Sequence, residues 1–414
     1  MTTKHSYSQP VLSRPKELQL AVNAGLAPGA ANSAGIGIRG VEVVQSIQSV
    51  DNSVRLIADK ATVARLYLDP ATVASSALVT GELAWRRDGG GMTYLPAMNR
   101  VEVTPAKRPS LQEQRFDTGL SINFRLPAEA IRAGRLELTV QRIYVPGGNE
   151  ITIAASHRFS VEFRRAPVLR VRAIGLRYKS LTKPGSFASP DATHFNFLKS
   201  YLQRAYPVAT LDWSQLVVDA DFINPPFASN ASDLANAQLA ALRAREISSG
   251  VDPRTHYYGL VDDDRGNKNC FMRGSAVYDP TARTFGLIAS GPTGVPNGWT
   301  GDSDASYADW YGAHELGHTF QRRHPGFPTG KQDPDPDEPG FPYPNGLITT
   351  VPDNRFVGFD VGDPGLPMPM RALPGDVHHD VMTYADSQWL SAYTYEAIHD
   401  RLVDEEVQLA AVVG

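Results

Sequence analysis

The residues best placed to do chemistry are His314, Glu315, His318 and His324. They stand in the run His314-Glu315-Leu316-Gly317-His318-Thr319-Phe320-Gln321-Arg322-Arg323-His324. If the first five residues are helical, 3.6 residues per turn place the two histidines on one face. Both imidazoles then reach one zinc ion at about 2.0–2.1 Å. Glu315 points beside the metal rather than at it, where a carboxylate can take a proton from a zinc-activated water. A catalytic zinc takes three protein ligands and keeps one position open. His324 follows His318 by six residues, enough for the chain to leave the helix and turn back. Glu338 is the nearest carboxylate that could be the third ligand instead, as in a thermolysin-like site, but it stands in a proline-rich loop.

Further along lies Asp380-Val381-Met382-Thr383-Tyr384. With both segments in hand, the chain resembles the metzincins, whose signature is His-Glu-x-x-His-x-x-Gly-x-x-His followed by a methionine-containing turn. The resemblance covers Ala313 to His324 and Asp380 to Tyr384. It implies that Met382 forms an apolar floor under the metal. It also implies that Tyr384 matches the turn tyrosine of astacins and serralysins, which binds zinc at rest and swings to stabilise the oxyanion. Trp389 to Leu402, apolar and helical in pattern, fits the helix that follows such a turn. The whole order, a β-rich segment and then this domain, is similar to that of bacterial zinc peptidases. One position departs from the signature: its glycine is Gln321 here. Glycine suits the left-handed backbone that ends the helix, and Gln in that conformation costs about 1 kcal/mol or more. Either the turn has another shape or the fold absorbs the strain.

These residues need elements to hold them. Residues 1–35 are rich in Ser, Pro, Ala and Gly and read as a flexible arm, with a short helix conceivable over Pro15 to Ala27. Residues 36–165 hold short alternating runs separated by Gly, Pro, Asn and Asp, which predicts an antiparallel β-sandwich. Arg164 to Pro167 marks a boundary. Residues 166–414 read as the zinc peptidase domain, with a mixed sheet, an active-site helix, a Met-turn and a C-terminal helix. Strands are predicted at Val168 to Leu176, Tyr257 to Val261, Phe271 to Tyr278 and Thr284 to Ser290. Helices are predicted over Asp191 to Tyr206, from an N-cap at Ser232 to Ile247, and over Ser306 to Gln321. The fold class is therefore mixed α+β. Thr284 to Ser290 is the expected sheet edge on which an extended substrate would add a strand.

Composition narrows the function. The chain has 414 residues, a net charge of -4 and 20% charged residues, with a pI near 6.2. Basic residues are dispersed, so a nucleic-acid partner is not expected. No apolar run is long enough for a membrane span or a signal-peptide core, which places the chain in the cytoplasm at synthesis, with leaderless export open. The single cysteine, Cys270, excludes an internal disulfide and reads as a small buried hydrophobe. Asp333, Asp335, Asp337 and Glu338, and the run Asp262-Asp263-Asp264-Arg265-Gly266-Asn267, could hold Ca²⁺ but read more simply as polar turns. His378 and His379 are adjacent, so their side chains diverge and they read as loop residues. The sequence predicts one catalytic zinc, Glu315 and Tyr384 as catalytic groups, and a protein or peptide substrate. The alternative is a β-sandwich binding protein of the adhesin kind whose zinc site is not catalytic. Specificity and oligomeric state are not legible.

Overall fold

The computed structural model describes residues 35–70, 75–148, 150–153, 157–222, 229–264, 272–279, 281, 286–302, 304–326, 338–351 and 353–413. Residues 1–34 of the arm, with its candidate helix, Cys270, and Asp333, Asp335 and Asp337 lie outside these residues. The fold is mixed α+β, with several sheets and five α-helices among the described residues: α1 (Leu111–Phe116), α2 (Ala192–Ala205), α3 (Ala231–Ser248), α4 (Ala308–Thr319) and α5 (Ala392–Val413).

The N-terminal part is built from alternation. A three-stranded sheet of Gly37–Val44, Val63–Asp69 and Ile122–Arg125 faces a seven-stranded sheet centred on Ala77–Arg87, Gly134–Tyr144 and Arg158–Arg164. Every second residue points inward, so Val41 and Val43 meet Leu66, Phe124, Leu83, Leu136, Leu138 and Phe163 in one core. Pairing among the described residues is antiparallel except where Leu56–Ile57 runs parallel to Arg158–Arg164 and at a parallel bridge between Ile36 and Ile153.

The C-terminal part rests on a six-stranded sheet. Leu211–Asp219, Leu169–Lys179, His256–Val261 and Ile288–Pro292 run parallel in that order. Ser275–Ala276 closes one side, antiparallel to Ile288–Pro292. Helices cover both faces, as parallel strands require. Tyr258 and Leu260 point toward α2 and α4, whereas Tyr257 and Val261 point toward α3. Gly259 lets α3 press close: a Cβ there would sit 2.8 Å from Leu239 Cδ1.

Three expectations are corrected, and one strand is added. Thr284 to Ser290 is not the edge: the strand it enters, Ile288–Pro292, lies between two strands, and the edge is Ser275–Ala276. Among the described residues of the run Phe271 to Tyr278, only those two form a strand. The helix α3 is capped by Asn230, not Ser232, and has no side-chain cap bond. The strand Leu211–Asp219 was not anticipated. It is the outer strand on its side and half exposed, so its alternation is diluted by polar residues.

The expected boundary near residue 165 is bridged. Ile47–Ser49 leaves the N-terminal sheet and pairs with Phe356–Asp360, which pairs with Arg371–Pro374. Ile47, Val54 and Ile57 belong to the same core as α2, α4 and α5. A buried ion pair fastens the junction: Arg115 Nε donates to Glu42 Oε2 at 2.9 Å, at 2% and 1% residue exposure. The Arg115 guanidinium also donates to the carbonyls of Gln48, Asn354 and Arg355. Removing one partner strands the other charge in the interior. Arg115→Ala should cost about 3–5 kcal/mol in urea unfolding, while Glu42→Gln with Arg115→Met should cost markedly less than Arg115→Ala alone.

Candidate metal centre

The helix α4 carries His314, Glu315 and His318, and its end positions His324. Phe320 caps it. The N–H of Gln321 donates to the His318 carbonyl, and the N–H of Arg322 donates to the Gly317 carbonyl, both at 3.0 Å. This is a Schellman ending, which demands a left-handed residue at Gln321. Gln321 has φ 67°. The turn therefore keeps the shape the signature glycine would give, and the fold absorbs the strain. Gln321 Nε2 is also buried without a hydrogen-bond partner.

The turn returns the chain to the helix face. Ring nitrogens of His314, His318 and His324 all lie within 4.8 Å of one another. Nε2 of His324 is 3.3 Å from Nε2 of His314. Ligands at about 2.0–2.1 Å in tetrahedral array are themselves about 3.3 Å apart. His314 Nδ1 lies 2.8 Å from the Val381 carbonyl, and His318 Nδ1 lies 2.8 Å from the Arg322 carbonyl. A carbonyl accepts only, so each Nδ1 carries the proton and each Nε2 presents its lone pair inward. Burial, then the neighbouring imidazoles, hold His314 well below the usual histidine range, which keeps it a neutral ligand. The donor set fits zinc.

The segment Asp380 to Tyr384 packs against α4 beside the histidines. Met382 is 1% exposed, and a Cβ on Gly317 would lie 2.3 Å from its Sδ. Asp380 builds the turn: its Oδ1 accepts from Met382 N at 2.8 Å, and its Oδ2 accepts from the N–H and hydroxyl of Ser391. The Tyr384 ring stacks on His314 at 5.4 Å between centroids and sits 4.8 Å from His324.

Glu315 is buried, and that burial pushes its carboxyl up to about 8. Gly274 lies against it: a Cβ there would fall 2.1 Å from Glu315 Oε1. Gly274 N donates to Tyr311 OH at 3.1 Å. Sequence reading missed Gly274, although a glycine at the start of an apolar run was a signal of close approach. A cleft of about 360 Å³ opens here between the edge strand and α4, lined by Ser275, Ala276, Glu315, His318, Arg323 and Tyr384 among others. A larger cavity of about 690 Å³ lies elsewhere, along Arg170, Arg172, Glu246 and Asp252. Four of its charges pair with each other, Arg172 with Glu246 at 2.9 Å and Arg170 with Asp252 at 3.2 Å.

The lesser candidates disperse. Nδ1 of His378 faces the Pro374 carbonyl and Nδ1 of His379 the Asp386 carbonyl. Glu338 Oε1 accepts from Tyr393 OH, and Glu338 does not join the histidine group. Asp264 accepts from Leu181 N, Thr182 N and Ser180 Oγ, whereas Asp263 accepts from Tyr307 OH. Those carboxylates serve different partners rather than one cation; Arg265, Gly266 and Asn267 lie outside the described residues. Among the described residues, a second group with metal-ligand spacing is Asp302, Asp304 and Asp309. No protein-family model and no curated protein matches the chain.

Two measurements probe this geometry. Gln321→Gly relieves the left-handed strain and removes an unpaired buried amide, so it should raise unfolding stability by about 1 kcal/mol. Glu315 has a folded-state pKa raised above its unfolded value. Its contribution is fully present below about 4.5 and is lost as pH rises to about 8. Metal-free protein should therefore lose stability between pH 5 and pH 9 by denaturant titration, and Glu315→Gln should flatten that loss.

Proposed function

We propose that this chain is a zinc-dependent endopeptidase of the metzincin kind. The observation that carries the reading is the convergence of three imidazole nitrogens beside a buried carboxylate, over Met382 and under Tyr384. A purely structural site has no need of Glu315. Zinc on three neutral imidazoles supplies a Lewis acid and an acidified water. Glu315 accepts the proton of the attacking water and passes it to the leaving amine. The wall that buries it, Gly274 and Tyr311, limits bulk water around that transfer. The Tyr384 phenol, above the triad, donates to the developing oxyanion. The half-exposed edge strand Ser275–Ala276 borders the cleft, so an extended peptide can pair with it by main-chain bonds.

The test is mass-spectrometric profiling of a diverse peptide library with zinc-loaded protein, alongside Glu315→Ala. Wild type should cut internal peptide bonds. Glu315→Ala should keep one bound zinc and lose at least about a hundredfold in rate. Tyr384→Phe should lower turnover more than substrate affinity. If wild type holds one zinc and cleaves nothing, the peptidase reading fails and a zinc-containing binding protein takes its place.

A further inference from the structure

We propose that Asp302, Asp304 and Asp309 form a calcium site that clamps the loop leading into α4. Asp309 stands in the first turn of that helix, and the other two stand in the loop before it. One oxygen from each carboxylate lies within 4.8 Å of the others. Oxygens bound to one Ca²⁺ at about 2.4 Å are at most about 4.8 Å apart. The donors are all carboxylate oxygens, which select a hard cation over zinc. Magnesium is usually held by one or two carboxylates plus substrate phosphates rather than by an all-protein set, so three protein carboxylates favour calcium.

Charge and hydrogen bonding point the same way. The cluster borders a cavity of about 570 Å³ whose other charged walls are Asp360, Arg204 and Arg371. Four carboxylates face two guanidiniums, so the wall holds more acidic groups than its own cations can compensate. Arg204 is already engaged by Asp360 and by Ser200 Oγ. Burial and the neighbouring carboxylates push Asp304 up to about 7 and hold Asp309 well above the usual carboxylate range. Three polar atoms on this wall are buried without a hydrogen-bond partner: Asp302 Oδ2, Tyr201 OH and Trp310 Nε1. Tyr201 and Trp310 are 3% and 6% exposed. Tyr201 lines the same cavity as the three aspartates, and burial, then the charge of Asp309, raises its phenol well above the usual range. Buried polar atoms are ordinarily paired. A hydrated calcium ion answers all three, binding the carboxylate and ordering water against the phenol and the indole.

The ion would act at a distance from the imidazoles. Gly301 abuts Ser387, where a Cβ would fall 2.4 Å from Ser387 Oγ, and Gln388 and Trp389 line the same cavity. Clamping this loop ties the start of α4 to the chain that follows Met382. The inference rests on the carboxylates together with the unpartnered phenol and indole beside them, and does not depend on peptidase activity.

The experiment is a calorimetric titration of zinc-loaded, calcium-stripped full chain with calcium chloride. Asp304→Asn, Asp309→Asn and Glu315→Ala run in parallel. Wild type and Glu315→Ala should bind one Ca²⁺ with a dissociation constant of about 10⁻⁶–10⁻³ M, and each aspartate variant should weaken it at least tenfold. Terbium bound at the same site should emit on excitation of Trp310, and added Ca²⁺ should quench that emission. If an aspartate variant fails to fold, the wild-type terbium competition decides alone. No binding up to about 10 mM Ca²⁺, which lies beyond the weakest protein sites, overturns the proposal. So does binding that both aspartate variants leave intact, or a preference for Mg²⁺.

Discussion

Imidazole nitrogens 3.3 Å apart with their lone pairs facing each other repel unless a cation sits among them. The fold must therefore hold His314, His318 and His324 in place before any ion arrives. It does so through backbone carbonyls. Val381 fixes His314 from the turn below, and Arg322 fixes His318 from just past the end of α4. Both carbonyls set the tautomer and the ring plane together. The Schellman ending at Gln321 then serves two needs: it closes the helix, and it sends His324 back across the helix face.

That requirement explains much of the surrounding packing. The Val381 carbonyl is useful only if its turn is rigid, and Asp380 makes it so by accepting from Met382 and Ser391 while wholly buried. Met382 fills the space that Gly317 leaves. The turn is seated in turn by Trp389, whose indole N–H donates to the Ser46 carbonyl in the N-terminal part. The N-terminal sheets are thus not an appendage. Ile47–Ser49 pairs with Phe356–Asp360, and Arg115 and Glu42 are buried at the same junction.

Much of the site was legible because it is local. Two histidines four apart on a helix share a face whatever surrounds them, and α4 spans them as the pattern required. Most strand and helix positions in the C-terminal part followed from periodicity, as for Asp191 to Tyr206, where the helix spans Ala192–Ala205. Gln321 was legible as a strained position, because a left-handed residue is needed wherever such a turn exists. Less legible were short or half-exposed strands. Ser275–Ala276 has too few residues to show a period, and its role as edge depends on which strand lies beside it.

The sequence by itself determined which groups could ligate, that His314 and His318 would be neighbours, and that a mixed α+β chain would carry them, since helix geometry and alternation act over a few residues. Tertiary structure alone decided the rest. It chose the Val381 carbonyl as the partner of His314, 67 residues away. It placed Gly274 against Glu315, and it gathered Asp302, Asp304 and Asp309 beside Tyr201 and Arg204. It also carried Ile47–Ser49 across the boundary that composition suggested. Such contacts are set by how layers pack over long sequence separations, where no local propensity or spacing specifies the partner.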